Sequence, residues 1–210
     1  MNIRKLILEG EGTTVDFKKT ITSSQKIAKS LVAFANGKGG QLLIGVTDDG
    51  KIVGVKSEDE EKYMINKSAT QFCKPAIEPK YEEVYVDDKL VLVVSIDKSE
   101  TKPHYALDEN QKWWAYYRVE DKCILASNVI LEMLKKENKE TGTLIIYTDM
   151  ERKLFKYLEE QGKITLKQFS KITRSSHKNA QKVLVNLILT GLIEPHTSEK
   201  QEYFTFINSK

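Results

Sequence analysis

The sequence predicts an α+β protein in two domains: a mixed-sheet domain over residues 1–137, then a small helical domain with a terminal strand pair over residues 143–210. Three observations carry this expectation. Strand and helix patterns alternate through the first two-thirds of the chain. The segment Lys135–Gly142 is polar and charged and ends on glycine, as an interdomain linker does. Beyond it the pattern changes to helix, helix, helix and hairpin. The composition, 40% hydrophobic and 30% charged over 210 residues, excludes a disordered chain and suits one large or two small domains. No apolar run approaches the ~20 residues a membrane span needs. The opening Met1–Glu9 reaches a glutamate before any signal-type apolar core. A cytoplasmic location is therefore expected, with no membrane partner.

The first domain is read element by element. Thr14–Lys18 is a short strand with Val15 and Phe17 on one face and Asp16 and Lys18 on the other. Ser23 or Ser24 caps a helix whose Ile27, Leu31 and Phe34 fall at helical spacing, and Ala33–Asn36 closes it. Gly37, Gly39 and Gly40 then allow left-handed backbone and close approach. Gln41–Val46 is an apolar run suited to a central strand, and Asp48-Asp49-Gly50 turns the chain so that Lys51–Val55 pairs back. Glu58–Phe72 has a helical pattern, with Tyr63, Met64 and Phe72 as core contacts. Tyr81–Val86 and Leu90–Ile96 flank Asp87-Asp88-Lys89 as a second hairpin. Lys112–Val119 is an aromatic strand in which Trp113 and Tyr117 lie on one face and Trp114, Tyr116 and Arg118 on the other. Ala126–Leu134 is a closing helix.

In the second domain Asp149 caps a helix over Met150–Gln161 with Leu154, Phe155 and Leu158 inward. Thr165 caps a shorter one containing Leu166, Phe169 and Ile172. Ser175 or Ser176 opens a third, with Ala180, Val183, Leu184, Leu187 and Ile188 facing the core and Gly191 ending it. Leu192-Ile193-Glu194 and Tyr203–Phe206 bracket a polar tip. A helix-turn-helix followed by two strands around a charged loop resembles a winged helix-turn-helix domain.

Charge and side-chain chemistry point to nucleic acid. The net charge is only +3, but from residue 150 onward 11 lysines and arginines stand against 6 acids. Ser175, Lys178, Asn179, Lys182 and Asn186 form one stripe of the third helix, opposite its apolar stripe. Lysine suits phosphate or guanine and asparagine suits adenine, so this is a set a helix could present to a major groove. Lys200 at the strand-pair tip adds a backbone contact. The alternatives are a merely solvated face or a protein-docking module. Gly37-Lys38-Gly39-Gly40 superficially resembles a phosphate loop, but its order is helix, glycines, strand, the reverse of what a P-loop needs. Lys38 remains a candidate phosphate contact. The Trp113–Arg118 aromatics could stack bases or pack across strands. Cys73 and Cys123 have no metal-site spacing, and His104 has no nucleophile in view.

Val15-Asp16-Phe17-Lys18 taken with Ala33–Val55 resembles the AlbA_2 domain of the Schlafen family over roughly residues 8–135. Lys102-Pro103-His104-Tyr105 and Tyr117-Arg118-Val119 resemble that family's later segments. The resemblance implies an AlbA_2/Schlafen-like mixed-sheet domain that binds nucleic acid. Its ribonuclease branch also implies an acidic constellation, which Glu11, Asp16 and Asp48 match in spacing, with Asp16 where the family usually carries glutamate. Such carboxylates could hold Mg²⁺ or Mn²⁺ beside a phosphodiester. Against that, Asp48 sits where turns favour aspartate and Asp16 could be a strand's solvent face. The expected function is a DNA-binding transcriptional regulator without a cofactor, possible as a homodimer. The alternative is a divalent-metal endoribonuclease acting on structured RNA.

Overall fold

In the computed structural model, which describes residues 3–137 and 147–207, the backbone divides into two units, residues 1–126 and 127–210. The first unit begins with a short helix, α1 (Ile3–Glu9), and then β1 (Val15–Lys18), α2 (Ser24–Asn36) and β2 (Gly40–Ile44). Next come α3 (Glu58–Gln71), β3 (Cys73–Lys74), β4 (Lys80–Val86) and β5 (Lys89–Ile96). The short strands β6 (Tyr105–Leu107), β7 (Trp113–Trp114), β8 (Tyr116–Val119) and β9 (Lys122–Leu125) complete it.

The main sheet has the order β1-β2-β5-β4. β1 and β2 are parallel, which requires a crossover, and α2 supplies it. β5 runs antiparallel to both β2 and β4. Strand alternation then divides the core. Leu42, Ile44, Leu92 and Val94 meet α2 and α3 on one face. Val15, Phe17, Leu43, Val91 and Val93 meet Ile3 on the other. Both faces are covered, so the apolar run Gln41–Val46 carries no polar alternation.

Several local expectations hold and several shift. Ser23 caps α2, accepting from the Lys26 N–H. Asp87 and Asp88 take φ of 50° and 60°, the left-handed pair that a two-residue hairpin turn favours. The return segment after Asp48-Asp49-Gly50 pairs back only beyond β2, through the Ile52–Val46 bridge and the Val53 N–H on the Gly45 carbonyl (2.9 Å), because β5 occupies the place beside β2. Of the three glycines after α2, Gly39 alone is left-handed, at φ +79°. Gly40 serves close approach: a Cβ there would overlap the Phe34 ring. Tyr63 is 64% exposed rather than a core contact. The inward face of α3 is Glu61, Ile65, Ser68 and Ala69, and the buried Glu61 carboxylate accepts from the Ile21 N–H (2.9 Å) and the Thr20 hydroxyl. The aromatic strand breaks at Ala115, with β7 pairing to β6 and β8 to β9. Trp113 and Trp114 are each 40% exposed, so neither face of that pair is core.

The second unit contains α4 (Asn128–Glu137), α5 (Asp149–Gln161), α6 (Leu166–Thr173) and α7 (His177–Leu189). An antiparallel pair follows, β10 (Ile193–Thr197) and β11 (Glu202–Phe206). Thr148, one residue earlier than expected, caps α5 in a reciprocal capping box with Glu151. Thr165 forms the same device with Gln168, and Ser176 caps α7. Leu154, Leu158, Phe169, Ala180, Leu184 and Phe204 are central to the core. Ile164, between α5 and α6, exchanges two backbone hydrogen bonds with Phe204 (3.0 and 2.8 Å), so a third stretch of extended chain joins the strand pair.

The boundary corrects one expectation. The helix read as closing the first domain belongs with the second unit, where Val129 joins its core and the Gln181 side-chain amide donates to the Asn128 carbonyl at 2.9 Å. The first unit ends on β9 instead. Of the expected linker Lys135–Gly142, residues 135–137 are the end of α4, and 138–142 lie outside the described residues.

Candidate nucleic-acid interface

Burial sets the register of α7. Ala180, Leu184 and Leu187 turn inward, so the opposite stripe turns out. Lys178, Asn179 and Lys182 on that stripe are exposed. Asn186 lies on it but is half-buried, its Oδ1 accepting from Lys136 Nζ at 3.2 Å. Ser175 is not on the helix. It precedes the Ser176 cap, and its hydroxyl meets that of Thr173 at 2.8 Å, tying the α6–α7 turn together. Four of the five expected residues therefore share the helix, three of them open to a ligand. Lys200 is exposed at the β10–β11 tip, and Lys38 is exposed in the turn after α2.

The acidic constellation comes out differently. Asp16 and Lys18 do face away from Val15 and Phe17, but that face lies under α2 rather than in solvent, and Asp16 is 5% exposed. Its Oδ1 lies 3.2 Å from Arg118 Nη2 and its Oδ2 lies 3.0 Å from Lys18 Nζ, with the Ser30 hydroxyl donating to Oδ2 at 3.3 Å. Arg118 is held further by the Gly12 carbonyl (2.8 Å) and the Val15 carbonyl (3.0 Å), and its guanidinium stacks over the Phe34 ring. Glu11 accepts the Phe17 N–H at 2.7 Å. Burial alone would raise Asp16, but Lys18 and Arg118 outweigh it and hold the carboxyl below the ordinary aspartate range. Burial, with the adjacent Asp16 carboxylate, pushes Glu11 up. Asp48 is exposed in its turn.

These residues do not fit a shared Mg²⁺ or Mn²⁺. Both oxygens of Asp16 are already engaged by cations. Among the described residues, no three acids, histidines or cysteines come together in a group that could hold a metal. Glu11 and Asp16 are brought together, and Asp48 is not joined to them. Asp16 serves instead to anchor β8 to β1 through Arg118, and Glu11 holds the Phe17 N–H of β1.

Sequence reasoning missed a second polar centre. The Asn36 side chain, 1% exposed at the end of α2, donates to the His104 and Tyr116 carbonyls (both 2.9 Å) and accepts the His104 N–H at 2.7 Å. His104 is itself buried. Its Nδ1 faces the Pro75 carbonyl at 2.9 Å, which can only accept, so Nδ1 carries the proton and Nε2 accepts from the Ser99 hydroxyl at 2.7 Å. Burial holds His104 below its ordinary value, that is, neutral. The available signal was an asparagine closing an otherwise apolar helix end, a polar group that must find partners once buried.

No curated protein matches the chain. Among solved structures it is similar to the DIP2311 protein of Corynebacterium diphtheriae, at 18% identity and a TM-score of 0.47, over 65% of this chain and 30% of that one. It is also similar to the N-terminal domain of a helicase RecG-related protein from Nitrosomonas europaea, at 22% identity and a TM-score of 0.45, over 61% of this chain and 92% of that one. The chain thus spans less than a third of the first of these structures. The profile of the family described as "Schlafen, AlbA_2" matches residues 11–127, more than half of the chain and nearly all of the first unit. With that match the chain belongs to the Schlafen AlbA_2 family.

Proposed function

We propose that the chain is a cytoplasmic DNA-binding protein, a transcriptional regulator whose second unit is a winged helix. Helix α7 reads the major groove, β10–β11 is the wing with Lys200 at its tip, and Lys38 on the first unit adds a backbone contact. That unit also serves self-association or ligand response. The observation that carries the reading is the outward stripe of α7, where Lys178, Asn179 and Lys182 are exposed above a core built by α5, α6 and the strand pair. The extended Ile164 joined to Phe204 supports it, since it gives the order helix, strand, helix, helix, strand, strand of a winged helix-turn-helix. No helix among the described residues is long and apolar enough to cross a membrane.

The test is duplex binding over a salt series. Replacing Lys178 and Lys182 together with Ala should weaken binding and lower the salt slope by about one unit per lost phosphate contact. Asn179→Ala should instead change the preference among sequences. Unchanged affinity and slope in the double variant would point to protein docking. The endoribonuclease alternative is disfavoured by the ion pairs on Asp16. Incubating the protein with Mn²⁺ and labelled tRNA checks it, with no cleavage expected.

A further inference from the structure

Helix α4 spans the end of the expected first domain and the start of its expected linker, yet it flanks the proposed reading helix. Within the second unit, α4 and α7 enclose a cleft of about 340 Å³. Lys135 and Lys136 line it from α4, and Lys178 and Lys182 line it from α7. Among the described residues Glu132 is the one carboxylate on its wall, paired with Lys135 at 2.8 Å. Glu132 balances Lys135, so Lys136, Lys178 and Lys182 leave this lining with a net positive charge, a potential that an anion would relieve. The walls are fixed by the Gln181 amide on the Asn128 carbonyl, and Lys136 reaches across to Asn186 on the outward stripe of α7. The cleft is thus continuous with the surface proposed to read bases.

We propose that the α4–α7 cleft seats a backbone phosphate of the DNA strand bordering the groove that α7 enters, with Lys136 and Lys182 as its principal ligands. This rests on the DNA-binding reading and makes α4 a second contacting helix. Backbone contacts of this kind fix the register of a reading helix without carrying sequence information. Glu132 opposes the phosphate and moderates its affinity.

The experiment uses the full chain, with fluorescence anisotropy on duplex DNA across a salt series and NMR of the lysine side chains. Lys135→Gln/Lys136→Gln should lower the salt slope by about one unit, that of the single phosphate the cleft seats, while leaving sequence preference unchanged. Glu132→Gln should strengthen binding several-fold. Lys153→Gln/Lys156→Gln on α5 removes the same charge outside the cleft and should leave the slope near the original. Unfolding midpoints confirm that each variant is folded. A slope unchanged by the α4 substitutions, with duplex binding intact, overturns the cleft proposal and leaves the DNA reading standing. Absence of duplex binding by the unmodified chain overturns both. Inorganic phosphate shifting the Lys136 and Lys182 signals in that case would reassign the cleft to a free anion.

Discussion

Asp16 and Arg118 illustrate how a residue's role depends on what covers it. Their side chains are 6% and 1% exposed, and Asp16 balances Arg118 at 3.2 Å while its other oxygen meets Lys18 at 3.0 Å. Removing the Asp16 charge leaves the Arg118 guanidinium buried without its carboxylate, so Asp16→Asn should cost about 3–5 kcal/mol. The paired apolar replacement Asp16→Leu/Arg118→Met should cost clearly less than Asp16→Asn, measured by urea unfolding. Equal losses would show that the pair's other partners dominate. His104 gives a pH signature. Its folded pKa lies below its unfolded value of about 6.5, so below that pH the unfolded chain binds more protons. Its contribution is complete above about pH 6.5 and is lost as pH falls through the folded value. Unfolding free energy should therefore drop between pH 7.5 and 5.5, and His104→Gln should flatten part of that slope.

At the scale of elements, the α2–β2 junction is a close-packed joint of the first unit. The Phe34 ring fills the space beside Gly40 and lies under the Arg118 guanidinium. Gly40→Ala forces that ring to move and should cost about 1–3 kcal/mol by overpacking. Phe34→Leu makes room for the added methyl, so the double variant should be less destabilised than the sum of the two single changes. Additive losses would mean that the glycine is needed for its backbone alone. In the second unit the capping boxes set helix starts. Thr148→Ala should destabilise it by about 1 kcal/mol, visible as a lower unfolding midpoint.

For the molecule as a whole, the division at Ala126 and Ser127 makes a directional prediction. A fragment of residues 127–210 keeps α4, with Val129 in the core and Gln181 bonded to Asn128, and should unfold cooperatively. A fragment of residues 138–210 loses both and should have a lower midpoint and a broader transition by circular dichroism. Matching midpoints would restore the boundary that composition alone indicated at 137. The distinction bears on function too, because the shorter fragment also lacks Lys135 and Lys136 and should bind duplex DNA with a smaller salt slope than the longer one.

Local physics left a clear record in the chain. The alternation of Val15, Asp16, Phe17 and Lys18, the serine and threonine caps, the Asp87-Asp88 turn and the apolar stripe of α7 are each determined by neighbours a few residues away. What the other side of an element faces is a non-local matter, and the sequence carried little of it. Asp16 reads as a solvent-facing strand residue until α2 covers that face and Arg118, 102 residues later, reaches its carboxylate. Glu11 and Asp16 fall beside each other through chain spacing, whereas Asp48 depended on where a hairpin would lie, and β5 displaced its return strand. The polar run after Leu134 signals a boundary, but only the packing of Val129 and Gln181 determines that α4 belongs to the helices beyond it. Side-chain periodicity encodes which face of an element is apolar, and only the assembled chain decides which partner covers that face.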